Sequence, residues 1–104
     1  MELHEAAALP AGTAWSGPDL ATIPEAMVKL RWTDQPYHWH VNDGGEVFAV
    51  LAGVIDMHAR APDGTVRVVV LRCGDVLHIR AGETHAAHPR GAASILVVEQ
   101  KGSA

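Results

Sequence analysis

Residues 46–79 read EVFAVLAGVIDMHARAPDGTVRVVVLRCGDVLHI, and their pattern sets the fold. Residues 46–52 are a mostly apolar run that ends at Gly53. From 54 to 60, Ile55, Met57 and Ala59 alternate with Asp56, His58 and Arg60. A period of two marks a strand with one wet face. Pro62-Asp63-Gly64 is a hairpin turn, since proline presets φ and glycine supplies a positive one. Val66 to Leu71 is strand-like and rich in β-branched residues. Gly74-Asp75 turns the chain again, before a short strand from Val76 to Ile79.

The flanks repeat this grammar. Upstream, Val28, Leu30 and Trp32 alternate with Lys29, Arg31 and Thr33, a segment that Pro24 opens. Downstream, Ala81-Gly82-Glu83 turns, residues 86–93 hold Pro89 and Gly91, and Ile95 to Val98 form the last strand. The tail Gly102-Ser103-Ala104 is expected to fray. Residues 6–18 are rich in Ala, Gly and Pro and read as an irregular arm, with one helical turn over Ala6 to Leu9 before Pro10 stops it. Residues 1–24 are therefore expected to be an N-terminal arm and 25–104 a single domain. Six or more short strands with turns about every eight to twelve residues, and no helical period, predict an all-β sandwich or barrel. Sheet edges in so short a chain need closure or a partner, so a homodimer is expected.

Eight Lys and Arg against twelve Asp and Glu leave a net charge of −4. That sign argues against nucleic acid or an anionic membrane as partner, because both need a basic face. The chain is 48% hydrophobic and 19% charged, a composition that folds. No apolar run approaches the ~20 residues of a membrane helix. Cys73 is the single cysteine, so no internal disulfide forms, and we read it as structural. Met1 to Glu5 lacks the basic start of a signal peptide, and a cytoplasmic location is expected.

Seven histidines are many for 104 residues, and four of the five aromatics (Trp32, Tyr37, Trp39, Phe48) fall between 32 and 48. Both enrichments meet in Tyr37-His38-Trp39-His40-Val41-Asn42-Asp43-Gly44-Gly45-Glu46. Residues i and i+2 of a strand share a face, so His38 and His40 can aim two imidazoles at one point, with Asn42 continuing that face. Imidazole nitrogens with a carboxylate oxygen, here Glu46, make a common shell for Zn, Fe, Mn or Ni. His85 follows after two turns and a strand, and a closed β fold can return it to the same place.

This arrangement resembles the cupin superfamily, whose double-sheet jelly rolls carry two motifs of roughly G-x5-H-x-H-x3–4-E-x6-G and G-x5-P-x-G-x2-H-x3-N. The first reads here as His38-x-His40-x5-Glu46-x6-Gly53, and the second as Gly74-x5-Arg80-x-Gly82-x2-His85-x3-Pro89. The resemblance spans residues 25–99. It implies a cupin-type double-stranded β-helix, a jelly-roll barrel, with one divalent metal (Zn, Fe, Mn or Ni) on His38, His40, Glu46 and His85. A second register, His40-x-Asn42-x3-Glu46, restores the usual spacing and puts Asn42 in place of the second histidine. The first is preferred because Asn is a poor ligand for a transition metal. Arg80 stands where the family has Pro, and Pro89 where it has Asn. Asn42, Phe48 and Val50 share the inward face with Glu46 and would line the ligand pocket.

Small cupins include dioxygenases, isomerases related to mannose-6-phosphate isomerase, lyases, epimerases and non-catalytic binders. The resemblance implies a metal-dependent enzyme of the dioxygenase or isomerase type acting on a small polar molecule. The alternative is a ligand-binding or sensory module with a structural or vestigial ion. No second acid or base is evident beside the four ligands. His58 and His78 are expected on the outer sheet face or at a subunit contact, His88 in a loop, and His4 in the arm without a role. Arg31, Arg60, Arg80 and Arg90 read as scattered surface arginines.

Overall fold

The computed structural model describes residues 3–23 and 25–100. The expectations placed on Pro24 and on residues 102–104 lie outside these. A 3-10 turn, Ala6–Ala8, opens the arm, where Pro10 prevents anything longer. Nine strands follow: β1 (Asp19–Ile23), β2 (Ala26–Thr33), β3 (Tyr37–Val41), β4 (Glu46–Ala52), β5 (Ile55–Arg60), β6 (Val66–Leu71), β7 (Val76–Ile79), β8 (Thr84–Pro89) and β9 (Ala93–Gln100). They form two antiparallel sheets, a five-stranded one ordered β1-β2-β9-β4-β7 and a four-stranded one ordered β3-β8-β5-β6. The all-β, double-sheet expectation is met. No helix among the described residues is long and apolar enough to cross a membrane.

Alternation decides what each sheet contributes to the interior. Phe48 and Val50 on β4, Ile55 and Met57 on β5, and Ile95 and Val97 on β9 point inward and join Leu71, Ile79, Ala87 and Ala93 in one core. Gly53 turns the chain from β4 in one sheet to β5 in the other with φ of 82°, and a Cβ there would lie 2.4 Å from the Ala92 carbonyl oxygen. Only glycine fits both demands.

The structure differs from the sequence pattern in three places. Asp19–Ile23 is a strand rather than part of the irregular arm. It pairs with β2 along a sheet edge with Leu20 looped out, and no alternation in its own sequence announces it. His88 is not in a loop: it sits on β8 beside Asp56 of β5, on the outer face. There its ring lies 4.0 Å from that of His58. On β2 the phase is inverted, since Lys29 and Arg31 line the interior while Leu30 is buried on the other side. A period of two reports alternation and says nothing about which face is the core when both are covered.

Candidate metal and ligand site

A cavity of about 210 Å³ opens between the sheets. Its wall carries the rings of Trp15, Tyr37 and Phe48, with Met57, Ala87 and Val97 beside them. His40, His85, Glu46, Glu99, Lys29 and Arg31 supply the polar side.

β3 and β8 build the imidazole pair. His40 lies directly opposite His85 in their register, and the ring centroids are 4.2 Å apart. Between Tyr37 and His40 the register shifts by a bulge. The extra residue reverses the inward–outward phase, so Tyr37 and His40 both face the cavity although they are three apart in sequence. His38 is turned out to an exposed position, and its ring stacks on Tyr37 with centroids 4.4 Å apart. His38 is thereby kept off the cavity wall, with its ring centroid 5.7 Å from that of His40, because the i, i+2 rule holds only in a strand without a bulge. His38 contributes its carbonyl instead. The His40 Nδ1–H donates to the His38 carbonyl oxygen at 3.0 Å. A carbonyl can only accept, so this bond places the ring proton on Nδ1 and leaves Nε2 with a free lone pair, the tautomer a metal ligand needs.

Asn42 takes the place the other register assigns it. Its backbone is tied to the turn before β8 on both sides, with Asn42 N donating to the Glu83 carbonyl at 3.0 Å and Gly82 N to the Asn42 carbonyl at 2.7 Å. The side chain is buried, and its Oδ1 lies 2.8 Å from His85 Nε2. As an oxygen it accepts, so His85 carries its proton on Nε2, and Nδ1 is left buried with no partner. Burial first, then repulsion from His40, pushes the His85 pKa down to about 4. The ring is neutral at ordinary pH.

Glu46 comes from the start of β4, where its register partner across the sheet is Glu99 of β9. Two carboxylates side by side cannot both ionise cheaply. Burial, a hydrogen bond with Glu99 and repulsion from it push the Glu46 pKa up to about 8, against a smaller opposing pull from Lys29. Glu99 is ion-paired with Lys29. His85 Nε2 stands 4.0 Å from Glu46 Oε1.

His40, Asn42, Glu46 and His85 are thus drawn together, and His38 is not. Of the three residues expected in the pocket wall, Phe48 lines the cavity, while Val50 is buried in the core and Asn42 is buried against His85. No group of three or more His, Cys, Asp or Glu among the described residues is placed to hold a metal ion as it stands. The chemistry of the donors still suits a divalent ion: two imidazoles, a carboxyl group and an amide oxygen. Sequence reasoning missed Trp15, Lys29 and Glu99. Glu99 was within reach, because Ile95, Val97 and Glu99 share one strand face. Trp15 had no signal in the local pattern.

No family model and no curated protein matches the sequence. Solved structures do match. A cupin-2 domain protein from Shewanella frigidimarina is 23% identical, with a TM-score of 0.76 over 88% of this chain and 85% of its own. A cupin superfamily protein from Desulfitobacterium hafniense is 17% identical, with a TM-score of 0.78 over 96% and 90%. A hydroquinone 1,2-dioxygenase in complex with Fe3+ is 19% identical, with a TM-score of 0.77 over 88% of this chain but only 29% of that enzyme. The chain has the cupin fold. At these identities the likeness is one of fold, and fold alone does not assign a reaction. In this chain the bulge in β3 turns His40 to the cavity, and the Asn42 amide is buried behind it against His85.

Proposed function

We propose that this cupin binds one divalent metal ion on His40, Glu46 and His85, with Asn42 Oδ1 as a fourth donor, and acts on a small polar molecule held in the adjoining cavity. The observation that carries this is the convergence of His85 Nε2, Asn42 Oδ1 and Glu46 Oε1 beside the His40 ring, and a bound ion would replace the Nε2 proton that now joins His85 to Asn42, with that proton passing to the unpartnered Nδ1. A bound ion of this kind supplies Lewis acidity and an open position for substrate. The chain's own residues do the rest. Asn42 and His85 orient one another, and the Lys29–Glu99 pair places a buried acid–base group in the same cavity. That pair supports isomerase-type proton transfer, while the likeness to an iron-bound dioxygenase supports an oxygenase.

The test is metal analysis of the protein as purified and after reloading. About one ion per chain is expected, with His85→Ala and His40→Ala each losing it. Full metal content in both variants overturns the ligand set. A second reading, a ligand-binding module, is favoured by the amide where the fold's first motif has a second imidazole. Saturable ligand binding that is unchanged by chelator, with no turnover, would establish it. As to assembly, we propose a homodimer. β6 is an outer strand of its sheet, and its Val66, Val68 and Val70 are 46%, 50% and 38% exposed. Light scattering at twice the chain mass supports pairing, and monomer mass at high concentration overturns it.

A further inference from the structure

The outer face of the four-stranded sheet carries a cluster that the cavity does not use. Asp56 and His58 stand two apart on β5, with Met57 between them in the core, so both side chains point outward. Across the strand pair, Asp56 faces His88 of β8 and His58 faces Ala86. Ala86 has only a methyl group, which leaves the His58 ring room to lean diagonally onto His88. The two ring centroids are 4.0 Å apart and the planes are tilted by 34°. Asp56, His58 and His88 are all half-buried, so each is held by its neighbours and still reachable from solvent.

The surroundings suit a cation. Among the described residues, no hydrogen bond engages the ring nitrogens of His58 or His88. Zinc takes imidazole nitrogens at roughly 2.0–2.1 Å, so two such ligands must fall within about 4 Å of one another. Rings in contact on adjacent strands meet that demand with small rotations. The Arg90 guanidinium donates to both Asp56 oxygens at 2.8 Å. That bonding is the main force holding the Asp56 carboxyl below its usual range, and the nearby His58 and His88 add to it. Ion pairs this exposed contribute little to stability, so a divalent cation can displace the guanidinium. The flanks are apolar. Val68 and Val70 of β6 stand opposite His58 and Asp56, and the Trp39 ring meets His58 edge to face at 6.3 Å. An apolar border of this kind limits the access of competing water to a metal.

We propose that His58, His88 and Asp56 form a second, surface site for a first-row divalent cation such as zinc, with Arg90 swinging away from the carboxylate as the ion enters. Two imidazoles and one carboxylate on neighbouring corners of a sheet approach the ion from one side and leave its other positions to water. The ion is therefore exchangeable and is lost on desalting. The site stands whether or not the cavity holds a metal of its own. The test is equilibrium dialysis of the untagged full chain against zinc. The parent should take up about one more ion per chain than His58→Ala or His88→Ala, whatever the cavity contributes to the total. Asp56→Asn should weaken zinc at this site by about tenfold or more. Arg90→Gln frees the carboxylate and should tighten zinc severalfold, an effect that a purely structural ion pair would not produce. If both histidine variants take up as much zinc as the parent, the inference falls and the cavity reading is untouched. If Asp56→Asn and Arg90→Gln leave zinc affinity unchanged, the carboxylate is no ligand and the three-donor site is overturned.

Discussion

At the scale of single residues, the site turns on one amide and one carbonyl. Asn42 occupies the inward position beside His40, and His38 acts only through its backbone oxygen. Replacing Asn42 with histidine would put an imidazole where the amide now sits. Asn42→His should therefore tighten zinc binding, measured by competition with a chromophoric chelator. His38→Ala keeps the carbonyl and should leave metal affinity within twofold of the parent, roughly the scatter of such measurements. A large loss in His38→Ala, with no gain in Asn42→His, would restore the pairing first read from the sequence. His40, Glu46 and His85 were legible as candidates because their spacing survives folding. The choice between His38 and Asn42 was not, because a bulge changes strand phase without leaving a mark in residue type.

At the scale of elements, β4 to β7 and β9 follow from alternation and turn chemistry, whereas β8 does not, because Pro89 and Gly91 give its stretch the look of a loop. Nor do the edge elements. β1 is ordered by pairing with β2, and Trp15 by the arm's bonds to the same strand, so both depend on contacts distant in sequence. Turn glycines offer a clean comparison at this scale. Gly53 and Gly64 both have positive φ, at 82° and 88°. A Cβ at Gly64 meets nothing within 4 Å, whereas at Gly53 it would collide with the Ala92 carbonyl and with Ala93. Gly64→Ala should cost only the left-handed penalty of about 1–2 kcal/mol. Gly53→Ala should cost clearly more, since the β4–β5 turn must also move away from the start of β9. Urea unfolding of the two variants checks this, and equal midpoints would show that the close approach at Gly53 relaxes freely.

At the scale of the whole molecule, two buried groups give the metal-free chain a stability curve with a definite shape. His85 has its pKa lowered from 6.5 to about 4, so its contribution is present above 6.5 and is lost as pH falls toward 4. Glu46 has its pKa raised from 4.5 to about 8, so its contribution is present below 4.5 and is lost as pH rises toward 8. Between 4.5 and 6.5 the unfolded chain holds one more proton at His85 and one fewer at Glu46, and the two slopes cancel. Above 6.5 only Glu46 acts, and stability should decline by at most about 1.4 kcal/mol per pH unit. Melting of chelator-treated protein should then show a plateau in mildly acidic buffer and a fall toward pH 8. Glu46→Gln removes the carboxyl group without removing its volume, and should flatten the alkaline side. A bound divalent ion needs Glu46 ionised, so metal should raise the melting temperature more at pH 8 than on the plateau. Parallel melting curves for parent and Glu46→Gln through pH 8 would mean that the Glu46–Glu99 pair is hydrated, and that the fold does not hold a protonated carboxyl group in reserve for a cation.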